Sequence, residues 1–281
     1  MPLLHEWSLV LFTALAQVAV GIVLVGECLL HAAQDAAVRT NIRRQSPIAF
    51  ALFVVAVLIS LGHTGSPLNS FNTIRNIGSS WLSREIGMLC LTGIVFLWLA
   101  FMRMKEQEQA QEKTAAGLVV VFGVLLVVTM SQVYRLPVAP VWDSCVSFLA
   151  FFGTMFITGA LWQAVVVSKS EDGEKFGTLL LVMAFVGLIL AAASAPLGVP
   201  VVSADMKPAT VLGPASFVAS KLALRMVLTG LGVGILALTL VRATQNCRKC
   251  AYAPLLAFIL ALTGELLGRS MFYFAYARIG M

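Results

Sequence analysis

Charge is scarce in this sequence. Of its 281 residues only 11% are Asp, Glu, Lys or Arg, and 59% are hydrophobic; a soluble domain carries about 25% charged residues. Such a sequence cannot keep its apolar side chains from water by folding on itself. The alternation of apolar and polar residues that builds a transmembrane β-barrel is missing, and the apolar runs are continuous instead. No phosphate-cradling loop, Ser-His-Asp set or carboxylate pair in a polar cleft can be found, so hydrolysis and phosphoryl transfer have no visible machinery. No Lys or Arg precedes Trp7. A secretory signal peptide needs a basic leading segment, so the first apolar run is expected to be a retained helix.

What remains reads as an all-α integral membrane protein. A spanning helix takes about 20 mostly apolar residues, and inside lipid the backbone must satisfy its own hydrogen bonds. About eight such runs occur, at 8–30, 46–63, 85–103, 115–134, 145–168, 176–198, 216–242 and 251–277. The whole sequence, 1–281, is therefore read as a single polytopic transmembrane domain. Ser46-Pro47 suits the opening of the second run, a cap followed by proline in the first turn. The long connections 64–84 and 199–215 are rich in Gly, Ser, Pro and Asn and read as loops. No repeat or low-complexity tract interrupts the pattern.

The formal charge of +6 would suggest nucleic acid in a soluble protein. Here the basic residues sit in short loops, where orientation in the bilayer explains them better, and no nucleic-acid module is visible. The loops after runs one, three, five and seven hold 11 of the 19 Lys and Arg residues, from Arg39 to Lys249. The other side holds 6, and Arg225 and Arg269 fall inside runs. The positive-inside bias places the odd loops in the cytoplasm and both termini on the periplasmic side.

Ionisable residues inside spans are costly, so function is the default hypothesis for them. Arg225 lies nine residues into run seven and Arg269 eight residues from the end of run eight, which puts both roughly 12–14 Å below the outer surface. Glu265 precedes Arg269 by four residues, so the two share a helix face in the favourable order. A buried structural ion cluster of Arg225, Glu265 and Arg269 is the plainer reading. His63 closes run two and Glu85 opens run three, both on the outer side. Either they are a solvated or capping pair, or they handle protons. Imidazole titrates near neutrality, and burial can move a carboxyl to meet it. At a helix N-terminus the dipole would favour the ionised carboxylate, against burial. Glu27, at the other end of run one, is expected to reach toward the headgroups or cap a contact.

The three histidines, His5, His31 and His63, limit the cofactors. A membrane haem commonly takes axial histidines. Only His5 and His63 share a side, and His5 is expected to precede the first helix, so no haem is expected. Cys247 and Cys250 form a C-x-x-C in the last cytoplasmic loop, but a zinc site needs two more ligands and an iron–sulfur cluster four thiolates. The other cysteines, Cys28, Cys90 and Cys145, are scattered. No metal and no iron–sulfur cluster is expected in this protein.

Several motifs add a resemblance. His5-Glu6-Trp7-Ser8-Leu9-Val10-Leu11-Phe12-Thr13 resembles the opening of the dimethyl sulfoxide reductase membrane-anchor subunit family. His63-Thr64-Gly65-Ser66-Pro67-Leu68-Asn69-Ser70-Phe71-Asn72 is similar to the family's H-L-G-S-P-x-R-A-F-N, and Leu82-Ser83-Arg84-Glu85-Ile86 to its L-S-N-E-I. Gly264-Glu265-Leu266-Leu267-Gly268-Arg269, with Phe272-Tyr273, looks like its last helix. The departures are Thr64 for Leu, Asn69 for Arg and Arg84 for Asn; the last two keep a positive charge in the loop. The resemblance implies an anchor in the bacterial inner membrane that carries no haem. It would oxidise menaquinol and pass the electrons to a four-cluster iron–sulfur subunit that serves a molybdopterin catalytic subunit. It implies that the quinol site's histidine and glutamate are His63 and Glu85, with Gly65, Ser66 and Arg84 in the quinol-site loop.

Two other readings compete. A secondary transporter would show inverted repeats and helices broken near the midplane, and neither is visible. A purely structural anchor would use its ionisable residues only to hold helices and dock a partner; binding of a quinol analogue separates it from the first reading.

Overall fold

Continuous apolar runs become helices because lipid offers no partner to backbone N–H and C=O groups. The computed structural model describes residues 2–62, 74–105, 109–135, 145–168, 173–197, 215–243 and 252–274, and among these the regular structure is helical. Eight helical segments are long and apolar enough to cross a membrane. They are α1 (Pro2–Ala32), the pair α2 (Ala36–Arg43) and α3 (Gln45–Leu61), α4 (Trp81–Met104), α5 (Gln109–Val133), α6 (Val146–Val167), α7 (Gly173–Leu197), α8 (Ala215–Ala243) and α9 (Ala253–Phe274). The protein is a multi-pass membrane protein.

Several helix ends differ from expectation. α1 starts at Pro2, so His5 lies within the helix and does not precede it. The second span gains α2, whose N-cap Asp35 accepts a 2.8 Å bond from the Ala37 N–H. Arg44 separates α2 from α3 and makes no side-chain cap bond. Ser46 is therefore inside α3, not its cap. α4 begins at Trp81, capped by Ser80, whose hydroxyl accepts from the Ser83 N–H at 3.4 Å. Glu85 consequently lies past the first turn, beyond the unbonded N–H groups that carry most of the dipole effect. These ends were misplaced because polar turns such as Ser83-Arg84 and Gln109–Lys113 read as loop by composition, although they continue the adjacent helix.

Two helices form the centre. The most hydrophobic stretch of α1 is 78% buried and that of α6 72%, against 22% for α2–α3 and 28% for α8. α1 packs on α3, α5, α6 and α9, while α6 also packs on α7 and α9. The α1–α6 crossing is close because both faces are glycine: a Cβ at Gly159 would sit 2.5 Å from the Gly21 carbonyl oxygen, and one at Gly21 would clash with the Met155 carbonyl. Small residues allow such approach between helices in lipid, where dispersion contacts drive association. The outer helices turn residues such as Leu58, Ile94, Phe185 and Leu238 outward.

Candidate functional site

Successive spans alternate in direction, so the start of α1, the start of α4, the end of α5 and the end of α9 lie on one side of the bundle. There the polar residues gather. Glu85 is 4% exposed, and its Oε1 has no hydrogen-bond partner. Its neighbour Arg84 turns the other way. The Arg84 guanidinium donates to the carbonyls of Ile77 at 2.9 Å and Gly78 at 2.7 Å and lies 4.3 Å from the centre of the Trp81 ring. Arg84 thus ties the end of the preceding connection to the first turn of α4.

On α9, Glu265, Arg269 and Tyr273 recur every four residues and make one polar stripe facing the centre of the bundle, each buried. Glu265 is held by three donors from two helices: Arg225 of α8 donates to it at 3.1 Å, Thr154 of α6 at 2.7 Å and Thr229 of α8 at 3.3 Å. Arg225 also donates to Ser194 of α7 at 3.3 Å. Arg269 does not pair with Glu265, its neighbour on the same helix face. It donates to Gln17 of α1 at 2.7 Å and to the Thr154 hydroxyl at 3.1 Å, and its guanidinium lies 3.7 Å from the centre of the Phe151 ring. One turn further, the Tyr273 hydroxyl is 2.8 Å from that of Tyr134, at the end of α5, and 3.3 Å from Thr13 of α1.

The other side of the bundle holds a second network, and it decides between the two expectations for Glu27 in favour of a contact. Glu27 does not reach toward the headgroups: Arg103 of α4 pairs with it at 2.5 Å, and the Arg103 side chain is only 3% exposed. Arg103 also donates to Ser46 at 2.5 Å and to Glu112 of α5 at 3.0 Å, while Arg43 of α2 pairs with Glu112 at 3.1 Å. Two cations and two carboxylates from α1, α2, α4 and α5 thus balance, which fits a structural clasp.

Of the site residues expected from sequence, the structure brings Arg225, Glu265 and Arg269 into one cluster and leaves Glu85 buried at the start of α4, on the same side of the bundle. Arg84 is engaged with the connection before α4. His63, Gly65 and Ser66 lie outside the described residues, as do Cys247 and Cys250. Sequence reasoning missed Thr13, Gln17, Tyr134, Thr154 and Tyr273. A signal existed: Thr13 and Gln17 are polar residues four apart in a strongly apolar run, and Tyr273 continues the Glu265–Arg269 spacing. Among the described residues no group of three or more His, Cys, Asp or Glu side chains is placed to hold a metal ion. Chemically, this side of the bundle combines a buried carboxyl that has an open oxygen with a pair of phenols and a guanidinium. Such groups can accept and pass protons.

Comparison with known proteins identifies the family. A model of the DMSO reductase anchor subunit (DmsC) matches residues 1–274. The protein is 30% identical over 287 residues to the YnfH chain of anaerobic dimethyl sulfoxide reductase from Escherichia coli K12, with 99% of this sequence and 97% of that one covered. It is 30% identical over 292 residues to the C subunit of anaerobic dimethyl sulfoxide reductase from the same organism, with 99% and 97% covered. It is 28% identical over 173 residues to the C subunit of the Haemophilus influenzae reductase, with 61% of this sequence and 62% of that one covered. With eight apolar helices and a family match along nearly its whole length, the protein belongs to the DMSO reductase anchor subunit family.

Proposed function

We propose that this protein is the quinol-oxidising anchor of a dimethyl sulfoxide reductase-like molybdoenzyme in the bacterial inner membrane, with both termini in the periplasm. Its electron donor is menaquinol. Its partners are a four-cluster iron–sulfur subunit and, through it, a molybdopterin catalytic subunit. The observation that carries the reading is Glu85, a carboxyl buried in the second turn of α4 with one oxygen unpartnered. A buried acceptor without a partner is expensive, and a quinol hydroxyl supplies the missing donor. His63 follows α3 by two residues, and α3 packs on α4, so connectivity favours a site shared by the two.

Oxidation of one quinol to quinone releases two electrons and two protons. In this reading the electrons pass to a cluster in the partner subunit. His63 takes the proton of one hydroxyl and Glu85 receives and relays protons toward the periplasm, as positioned bases do. Gly65, Ser66 and Arg84 belong to the loop that borders the ring. The test is substitution in the assembled reductase. His63→Ala and Glu85→Gln abolish quinol-driven reduction, while reduction driven by a viologen dye, which bypasses the anchor, continues. Normal quinol-driven growth and normal binding of a quinol-analogue inhibitor in either variant removes that residue from the site.

A further inference from the structure

We infer that Arg84 is a positioning residue for quinol binding: its guanidinium straps the end of the connection between the second and third spans onto the first turn of α4, next to Glu85, and does not itself meet the quinol. The inference rests on the proposed quinol site at Glu85.

Helix formation alone does not call for an arginine here. α4 is capped by Ser80, so Arg84 stands at the end of its first turn. A cation there opposes the helix dipole, and carboxylates are the favoured occupants. A local rule broken in this way is expected to be offset elsewhere. The stretch before the helix supplies the offset. A short 3-10 turn, Ile74–Asn76, leads into it. The Asn76 carbonyl accepts from the N–H groups of Ser79 at 3.0 Å and Ser80 at 2.9 Å. The next two carbonyls, those of Ile77 and Gly78, accept from Arg84 Nε at 2.9 Å and Nη2 at 2.7 Å. A guanidinium is flat and presents its donors as a fork, which suits two acceptors side by side. Its face lies 4.3 Å from the centre of the Trp81 ring.

Burial does not hold this stretch in place. Residues 75–79 are exposed, with Ile77 at 50%. An added Cβ at Gly87 would lie 3.3 Å from Ile77 Cδ1, so the stretch runs along the first two turns of α4. With so little apolar surface covered, the hydrogen bonds decide where it lies. Arg84 makes two of them, across six and seven residues.

The strap and the buried carboxyl share one turn. Arg84 and Glu85 are consecutive, so their side chains leave the helix about 100° apart. One holds the connection on the outer face, and the other is buried with an open oxygen. The connection runs from His63 to Glu85, so in the proposed site both ends of it meet the quinol. A connection fixed in advance need not be ordered by the quinol as it binds. Releasing it therefore weakens binding and leaves the proton-transfer step itself alone.

The experiment uses the assembled reductase and reads two things. The first is amide hydrogen exchange over residues 74–84. The second is quinol-driven turnover with a water-soluble naphthoquinol, together with the affinity of a quinol-analogue inhibitor. In Arg84→Gln the amides of Ser79 and Ser80 are expected to exchange faster, while the interior of α4 keeps its rate. The KM for naphthoquinol and the Kd of the inhibitor are expected to rise about five- to tenfold, the order of one hydrogen bond to a charged group, with little change in kcat. Viologen-driven reduction stays as it is. Arg84→Lys is expected to behave like Arg84→Gln, because a compact ammonium cannot hold both carbonyls and lie flat on the Trp81 ring. Trp81→Leu, which removes the ring and leaves the fork, is expected to raise KM in the same direction by a smaller factor, and it serves as the test should Arg84→Gln fail to assemble. A wild-type KM in Arg84→Lys overturns the inference, since charge and not the fork would then matter. Unchanged exchange in Arg84→Gln removes the strap. Faster exchange with an unmoved KM and inhibitor affinity removes its link to quinol binding. Unimpaired turnover in Glu85→Gln refutes the site reading beneath it instead.

Discussion

Glu265→Leu isolates what the ion cluster contributes to the fold. Glu265 is 2% exposed and accepts from Arg225, Thr154 and Thr229, so it joins α6, α8 and α9. Leucine is of similar size but cannot accept. Arg225 would keep only the 3.3 Å bond to Ser194, and breaking one side of a buried pair typically costs about 3–5 kcal/mol. At about 1.4 kcal/mol per tenfold, that lowers the folding equilibrium constant by a factor on the order of 10² to 10⁴. The measurement is the amount of anchor in membranes and its thermal stability in detergent, together with quinol-driven turnover per assembled complex. Abundance and stability should fall sharply while turnover per complex changes little. The double variant Arg225→Leu with Glu265→Leu should regain much of the lost stability, because replacing a whole buried pair by apolar residues is often neutral. Normal assembly of Glu265→Leu with lost turnover would instead place Glu265 on the reaction path, and a double variant no better than the single one would refute the pairing argument.

Gly159→Val forces a side chain against the Gly21 backbone and should destabilise the bundle by at least about 1–3 kcal/mol, read as a lower melting temperature; Gly117→Ala, where an added Cβ meets nothing within 4 Å, should be silent. Arg103→Leu strips Glu27 of its 2.5 Å partner but leaves Glu112 with Arg43, so a loss of about 2 kcal/mol is expected, measured in the same melt. A reporter that works only in the cytoplasm, fused after Met281, should be inactive, as the 11 to 6 distribution of basic residues requires; full activity would move the proposed quinol site to the opposite face. The purified protein should give no haem band in a reduced-minus-oxidised spectrum.

Much of the architecture is legible in the sequence. The bilayer constrains each span separately, through its own length and hydropathy, so the eight runs stand out without knowledge of their neighbours. The same locality reveals Arg225, Glu265 and Arg269, because a charge inside an apolar run is visible wherever the helix points. Glu85 is marked by the resemblance of Leu82-Ser83-Arg84-Glu85-Ile86 to the family's motif. Locality also sets the errors at helix ends: the polar first turns of α4 and α5 read as loop, though they continue helices.

What the tertiary structure alone decided is who meets whom. Glu265 and Arg269 have the spacing of a helix pair, yet Glu265 turns to Arg225 of α8 and Arg269 to Gln17 of α1. Glu27 and Arg103 are far apart in sequence and meet because α1 and α4 end on the same side. Tyr134 and Tyr273 carried no charge to draw notice, and their hydroxyls meet only because α5 and α9 converge on α1. The rotation of each helix about its axis settles these partners. For α1 and α6 it is limited by their close crossing at Gly21 and Gly159, a contact between distant segments that no periodicity within either one encodes.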